Sequence, residues 1–212
     1  MKFVRYEIDG FVHYGVIDGA MVRQITTTPF DAYEVTDHQH VLSQVKLLAP
    51  CTPSKMMAMA LNYKSHLGGR DAPKQPEPFY KVPSSIIGPG DPIILPRNAG
   101  RVDQEAELVA VIGRRCRKVS KLEALSYVLG YTCGNDVSAR VWQKTDMQFW
   151  RAKASDTFSP IGPSITTDID GANLEVWARV NGIQAQNYVT SDLLFDIPTI
   201  ISTISQVVTL EP

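Results

Sequence analysis

Residues 104–113 read QEAELVAVIG, an E-x-E pair that runs directly into a continuous apolar stretch. Successive side chains of a strand point to opposite faces, so Glu105 and Glu107 project from the same face, about 6–7 Å apart along the chain. Two like charges at that spacing are costly unless something positive sits between them. Taken alone, such a pair is more often a solvated strand face. The apolar run after it changes the reading, because it implies a buried strand whose acidic end opens into a cavity. Asp136, in GNDVSAR at 134–140, follows an expected helix that returns the chain to the start of that strand. A third carboxylate completes an oxygen-only ligand set. Such sets suit Mg²⁺ or Mn²⁺, whereas zinc usually recruits His or Cys.

Working outward, residues 3–25 alternate apolar and polar positions around Asp9-Gly10 and Asp18-Gly19, the pattern of a β-meander with tight turns. Residues 31–45 are polar and carry His38 and His40, which together with His13 read as surface or turn histidines. Prolines near 50–53 mark a boundary, giving a small β module over 1–50 and a main domain over 51–212. The span 63–83 is dense in Gly, Pro, Lys and Asp and reads as a long surface loop. After it, SSIIGPGDPIILP at 84–96 gives a turn and then a short apolar strand. Gly88-Pro89-Gly90 is not a phosphate loop, since no Lys-Ser/Thr and helix start follow it.

Over 120–131, Ser120 as N-cap and the spacing of Leu122, Leu125 and Leu129 predict a helix. Residues 141–154 read as a short irregular or helical segment. From Gly162 onward the chain is β-like, with Asn181-Gly182 as a hairpin turn, and Pro198 opens a helix or buried run over 197–208. Strands in succession with few helices between them predict a mainly β (α+β) fold, a folded-over sandwich or roll, rather than a doubly wound sheet.

The chain has 212 residues, 44% of them hydrophobic and 20% charged, with a net charge of −1. That balance supplies no field to attract nucleic acid or an anionic membrane surface. No apolar run reaches the roughly 18–20 residues of a membrane span, and MKFVRYEIDG carries charges where a secretory signal would be apolar. The expectation is a cytoplasmic protein. Cys51, Cys116 and Cys133 are odd in number and form no CxxC pair, so buried neutral thiols are expected.

Five blocks in order, LNYKSH at 61–66, FYK at 79–81, DQEAELVAVIGR at 103–114, GYTCGNDVSAR at 130–140 and KASDTFSPIGP at 153–163, resemble the fumarylacetoacetate hydrolase superfamily. The resemblance implies that family's mixed β-sandwich roll and a homodimer. It implies Glu105, Glu107 and Asp136 as the ligands of Mg²⁺ or Mn²⁺, Lys153 as the lysine beside the substrate, and His66 as the base of a lid. Tyr63, Lys81, Arg140 and Gln143 match as further substrate contacts. The implied activity is C–C cleavage of a small 2-oxo acid, an acylpyruvate or β-keto acid, through a metal-chelated enolate. Isomerisation or tautomerisation of 2-hydroxy-dienoate acids, or a non-catalytic binding protein, are the alternatives. Two departures stand out. Gly69 occupies the position where hydrolysing members commonly carry a glutamate three residues after the lid histidine, leaving Arg70, Asp71 or Glu77 as substitutes. The chain also stops at TLEP, where the family continues with further strands, so truncation is expected.

Overall fold

The computed structural model describes residues 1–212. Fifteen strands and three short helices make up the chain, twelve of the strands preceding the first helix. The strands are β1 (Lys2–Ile8), β2 (Phe11–Asp18), β3 (Met21–Ile25), β4 (Val35–Val41), β5 (Lys46–Leu47), β6 (Met56–Ala60), β7 (Glu77–Lys81), β8 (Ile86–Ile87), β9 (Val102–Asp103), β10 (Ala106–Ile112), β11 (Val128–Asn135), β12 (Ser138–Ala139), β13 (Ser159–Thr166), β14 (Glu175–Val180) and β15 (Ile183–Val189). The helices are α1 (Arg140–Gln143), α2 (Trp150–Ala154) and α3 (Ile197–Ser205). The fold is therefore mainly β with few helices, as the sequence predicts. No helix is long and apolar enough to cross a membrane.

A nine-stranded sheet forms the frame, its main path running β10-β11-β13-β1-β2-β3-β4. The meander of the first 25 residues is present, and its Asp9-Gly10 turn has both residues at positive φ. The first fifty residues are not a separate sheet: β1 pairs with β13 through Lys2↔Thr166 and Phe3↔Ile165. One apolar core, including Phe3, Ile25, Cys51, Val111, Ile161 and Ile165, lies where β1, β3, β10 and β13 meet. A second core, with Cys116, Val119, Ile201 and Leu210, packs beneath α3. Asp196 caps that helix by accepting from the Thr199 amide at 2.9 Å, and Pro198 sits in its first turn, where a missing N–H costs nothing.

Four local expectations are corrected. The helix expected over 120–131 is a single 3₁₀ turn at Ala124–Tyr127 followed by β11. Ser120 exchanges hydrogen bonds with Glu123 just before that turn, whose own N-cap residue, Glu123, makes no side-chain cap bond. Leu122 is 96% exposed and Leu125 50% exposed, however, so the apolar face of the expected helix finds nothing to cover. The segment from 128 instead gains pairing on both sides, with β10 and with β13. Within 63–83, Glu77–Lys81 is a strand paired with β6, because alternate residues Phe79 and Lys81 are buried. The apolar strand expected in the second half of 84–96 is unpaired and exposed at Ile94 and Leu95, whereas Ile86–Ile87 pair with β13. Cys51 and Cys116 are buried but Cys133 is exposed. Burial pushes the Cys51 thiol up to about 11.

Gly130 marks the tightest point of the sheet: a Cβ there would lie 2.5 Å from the Thr166 carbonyl oxygen, a backbone atom that cannot swing away. Gly130→Ala is expected to lower unfolding stability by about 1–3 kcal/mol, read as a drop in the urea midpoint at unchanged slope.

Candidate metal centre and its cavity

The acidic wall begins with backbone pairing. Asn135 Oδ1 accepts from the Glu105 amide at 3.0 Å, and the Glu105 carbonyl accepts from the Asp136 amide at 2.8 Å. These bonds join the entry of β10 to the exit of β11, so Glu105 and Asp136 meet although 31 positions of chain separate them. Glu107 lies opposite Gly134 in the same ladder, where a Cβ would come within 2.6 Å of Val109 Cγ2. The return of the chain to this strand is made by antiparallel pairing, not by the expected helix.

Cations from three other elements meet these carboxylates. Lys153, on the buried face of α2, donates to Glu105 Oε2 at 2.5 Å and to Asp136 Oδ2 at 2.6 Å. Lys81, at the end of β7, donates to Asp136 Oδ1 at 2.5 Å and to the Lys153 carbonyl. Arg140 places Nη2 2.6 Å from Glu105 Oε1, Nε 2.8 Å from Asp103 Oδ2, and Nη1 2.9 Å from Gln143 Oε1. Burial pushes the Lys81 ammonium below the usual lysine range, and the charge and hydrogen bond of Asp136 pull it back.

Glu107 is the exception. Its polar contact is the Tyr188 hydroxyl, at 3.4 Å, and no cation of the protein reaches it. Burial first, then the charges of Asp136 and Glu105, push its carboxyl up to about 8. A carboxylate enclosed with two others and lacking a positive partner is costly in its charged form. A divalent cation removes that cost, and oxygen donors alone are the ligands that Mg²⁺ and Mn²⁺ prefer. In the present side-chain arrangement no three His, Cys, Asp or Glu residues close around one point, because Glu105 and Asp136 turn toward Lys153, Lys81 and Arg140.

All three carboxylates open onto one cavity of about 1070 Å³. Tyr63, His66, Arg140, Gln143 and Lys153 line it as well, so eight of the nine expected site residues share one space. Lys81 does not line it. It stands behind Asp136, 1% exposed, and so braces the wall rather than contacting a ligand. Along the same cavity, the 3₁₀ turn Lys64–His66 carries an exposed His66. The Tyr63 and Tyr188 rings meet edge-on at 4.4 Å, and the His66 ring lies 6.2 Å from Tyr188.

Several cavity residues went unmarked in the sequence. Gln186 brackets Ala106, accepting from its amide at 2.8 Å and donating to its carbonyl at 3.3 Å. Tyr188 donates to the same carbonyl. The run IQAQNYV places Gln186 and Tyr188 two apart on one strand face, and that period was the available signal. Of the three substitutes for the acid missing at Gly69, Arg70 lines the cavity, whereas Asp71 and Glu77 do not.

Residues 55–212 match the family described as fumarylacetoacetate (FAA) hydrolase, C-terminal, and residues 1–50 match Rv2993c-like, N-terminal. The mitochondrial oxaloacetate tautomerase fahd2 of Xenopus laevis is 42% identical over 82% of this chain, which spans 58% of that protein. The crystal structure of 2-hydroxyhepta-2,4-diene-1,7-dioate isomerase from Mycobacterium marinum has a TM-score of 0.93 at 42% identity, covering 100% of this chain and 84% of that one. Maleylpyruvate hydrolase from Sphingobium sp. SYK-6, solved with manganese(II) and pyruvate, has a TM-score of 0.80 at 33% identity, covering 100% of this chain and 85% of that one.

Removing Lys81 takes from the buried Asp136 one of its two ammonium partners and leaves Lys153 alone against it. Lys81→Met is expected to lower stability by about 3–5 kcal/mol in denaturant unfolding, well beyond the cost of trimming an exposed lysine. A loss below about 1 kcal/mol would show that Lys81 does not carry the wall.

Proposed function

The chain belongs to the fumarylacetoacetate hydrolase family, and on that premise we propose that it is a divalent-metal-dependent enzyme that moves a proton on a small 2-oxo acid, interconverting enol and keto forms. The observation carrying this reading is one imidazole, His66, lining the same cavity as Glu105, Glu107 and Asp136, with no side chain at Gly69 to act beside it. One base suffices for such a transfer, since it takes a proton from one substrate atom and returns it to another. Activating water for C–C hydrolysis is better served by a base paired with an acid. The names of the Xenopus tautomerase and the Mycobacterium marinum isomerase describe chemistry of this proton-moving kind.

Glu105, Glu107 and Asp136 would hold Mg²⁺ or Mn²⁺, which when bound supplies Lewis acidity toward the carboxylate and 2-oxo oxygens of the substrate. Lys153 holds the Glu105 and Asp136 carboxylates in place, and its positive charge offsets negative charge that develops on the substrate oxygen. Arg140 and Gln143, held to each other at 2.9 Å, present donors to the substrate carboxylate. Tyr63 and Tyr188 form the apolar side of the cavity next to His66 and limit the approach of water. His66 holds the transferred proton on the imidazole nitrogen that faces the substrate.

A second reading, hydrolytic C–C cleavage of an acylpyruvate-like acid, is favoured by the likeness to the maleylpyruvate hydrolase solved with manganese and pyruvate. Product analysis separates the two, because cleavage releases pyruvate and tautomerisation conserves mass.

In calorimetric titration, Mn²⁺ is expected to bind the parent protein and to lose at least about tenfold in affinity in Glu107→Ala. Equal affinity in the two proteins would remove the metal from this wall. With oxaloacetate, followed by its enol absorbance, His66→Gln is expected to lower kcat about 100-fold or more while Mn²⁺ affinity holds. Unchanged kcat would take the base role from His66.

A further inference from the structure

The turn that carries His66 touches apolar surface through its ring, which lies 5.8 Å from that of Tyr63 and 6.2 Å from that of Tyr188. None of Lys64, Ser65 and His66 is buried, and the N-cap residue Tyr63 makes no side-chain cap bond. Leu61 precedes it at φ +53°, a conformation a non-glycine residue rarely adopts, and Gly68 and Gly69 follow it at φ +56° and +83° with no atom within 4 Å of a Cβ at either glycine. Local sequence therefore does not decide where the imidazole stands. Yet the turn is tied down by a segment 127 residues later in the chain. Asp192 Oδ2 accepts from the Ser65 amide at 3.0 Å and from the Ser65 hydroxyl at 2.6 Å. Beside this latch, Asn62 accepts from the Leu194 amide at 2.9 Å through its carbonyl and exchanges two side-chain bonds of 3.0 Å with Phe195.

Asp192 lies just past β15, the strand whose Gln186 and Tyr188 bind Ala106 between the two glutamates of the acidic wall. The chain of contacts thus runs from the acidic wall through β15 and Asp192 to the turn bearing His66. We propose that Asp192 is a positioning residue: through Ser65 it sets the distance and angle at which His66 faces the acidic wall. The bond to Ser65 supplies the orphan N–H of the turn with the acceptor that a local cap would otherwise give. Arg70 closes the other end, donating to the His66 carbonyl at 3.1 Å and the Leu67 carbonyl at 3.0 Å. Asp192 does not line the cavity, so it acts on placement and not on the substrate. Its carboxyl is held below the usual range, first by the Ser65 bonds and then by Lys64 and His66, so it stays an ionised acceptor at neutral pH.

The role rests on His66 being the base of the proposed reaction, and the test keeps the two claims separate. Amide hydrogen exchange at Ser65–Leu67, kcat and KM for oxaloacetate enol–keto exchange, and Mn²⁺ affinity are measured on Asp192→Ala, Asp192→Asn and Ser65→Ala/Asp192→Ala. In Asp192→Ala, Ser65 exchange is expected to quicken and kcat to fall about tenfold, with KM and Mn²⁺ affinity held. Asp192→Asn keeps an acceptor oxygen and recovers most of both effects. The double variant is no worse than Asp192→Ala, as expected for one shared interaction. Parental exchange at Ser65 in Asp192→Ala overturns the latch, as does an Asp192→Asn variant as impaired as Asp192→Ala. Absence of turnover in the parent refutes the proton-transfer reading instead, and the exchange measurement, which needs no substrate, still decides the latch.

Discussion

Three carboxylates share one wall of this protein, and the surrounding fold is arranged to make that tolerable. Like charges withdrawn from water repel one another and lose hydration, a cost that only nearby cations or protonation can remove. Lys81 comes from β7, Arg140 from α1 and Lys153 from α2, each ending within hydrogen-bond distance of Glu105 or Asp136. The electrostatic demand thereby binds three peripheral elements to the β10–β11 pair. It also explains why a lysine, Lys81, is among the most buried side chains of the chain.

The compensation stops one residue short. Glu107 lines the cavity with a tyrosine hydroxyl as its neighbour and no salt-bridge partner, and burial, then the charges of Asp136 and Glu105, raise its carboxyl against the pull of Lys153. Sites that hold functional ions commonly keep such an uncompensated group, because full internal pairing would leave the ion nothing to gain. Around it the structure is stiff: Gln186 and Tyr188 fix Ala106, and the Glu105–Asp136 and Glu105–Asn135 bonds fix the strand ends.

The opposite side of the cavity follows another logic. The His66 turn contains no buried residue and is held by polar bonds exposed to solvent. Segments of that kind open at lower free energy than a paired strand does. The cavity thus joins a wall held by ladder pairing and buried ion pairs to a turn held by exposed polar bonds.

Much of this was legible in the amino-acid order. Period-two alternation placed Glu105 and Glu107 on one face, Asn181-Gly182 and Asp9-Gly10 marked hairpins that formed, and five short blocks pointed to the family. The order of residues also led astray where spacing suited two structures at once. Leu122, Leu125 and Leu129 fit a helix, but helix formation here depends on a surface to cover, and the surface available was the edge of two strands. Lys81 could be matched to a motif, yet only packing put it behind Asp136. Asp192 and Tyr188 carried no local signal of their meeting Ser65 and Ala106, more than eighty residues away. The sequence by itself determined which side chains carry charge and which face of a strand they share, because those follow from covalent geometry. Tertiary structure alone decided which charges meet, which one is left without a partner and where the imidazole stands, because those depend on contacts between segments that local preference does not encode.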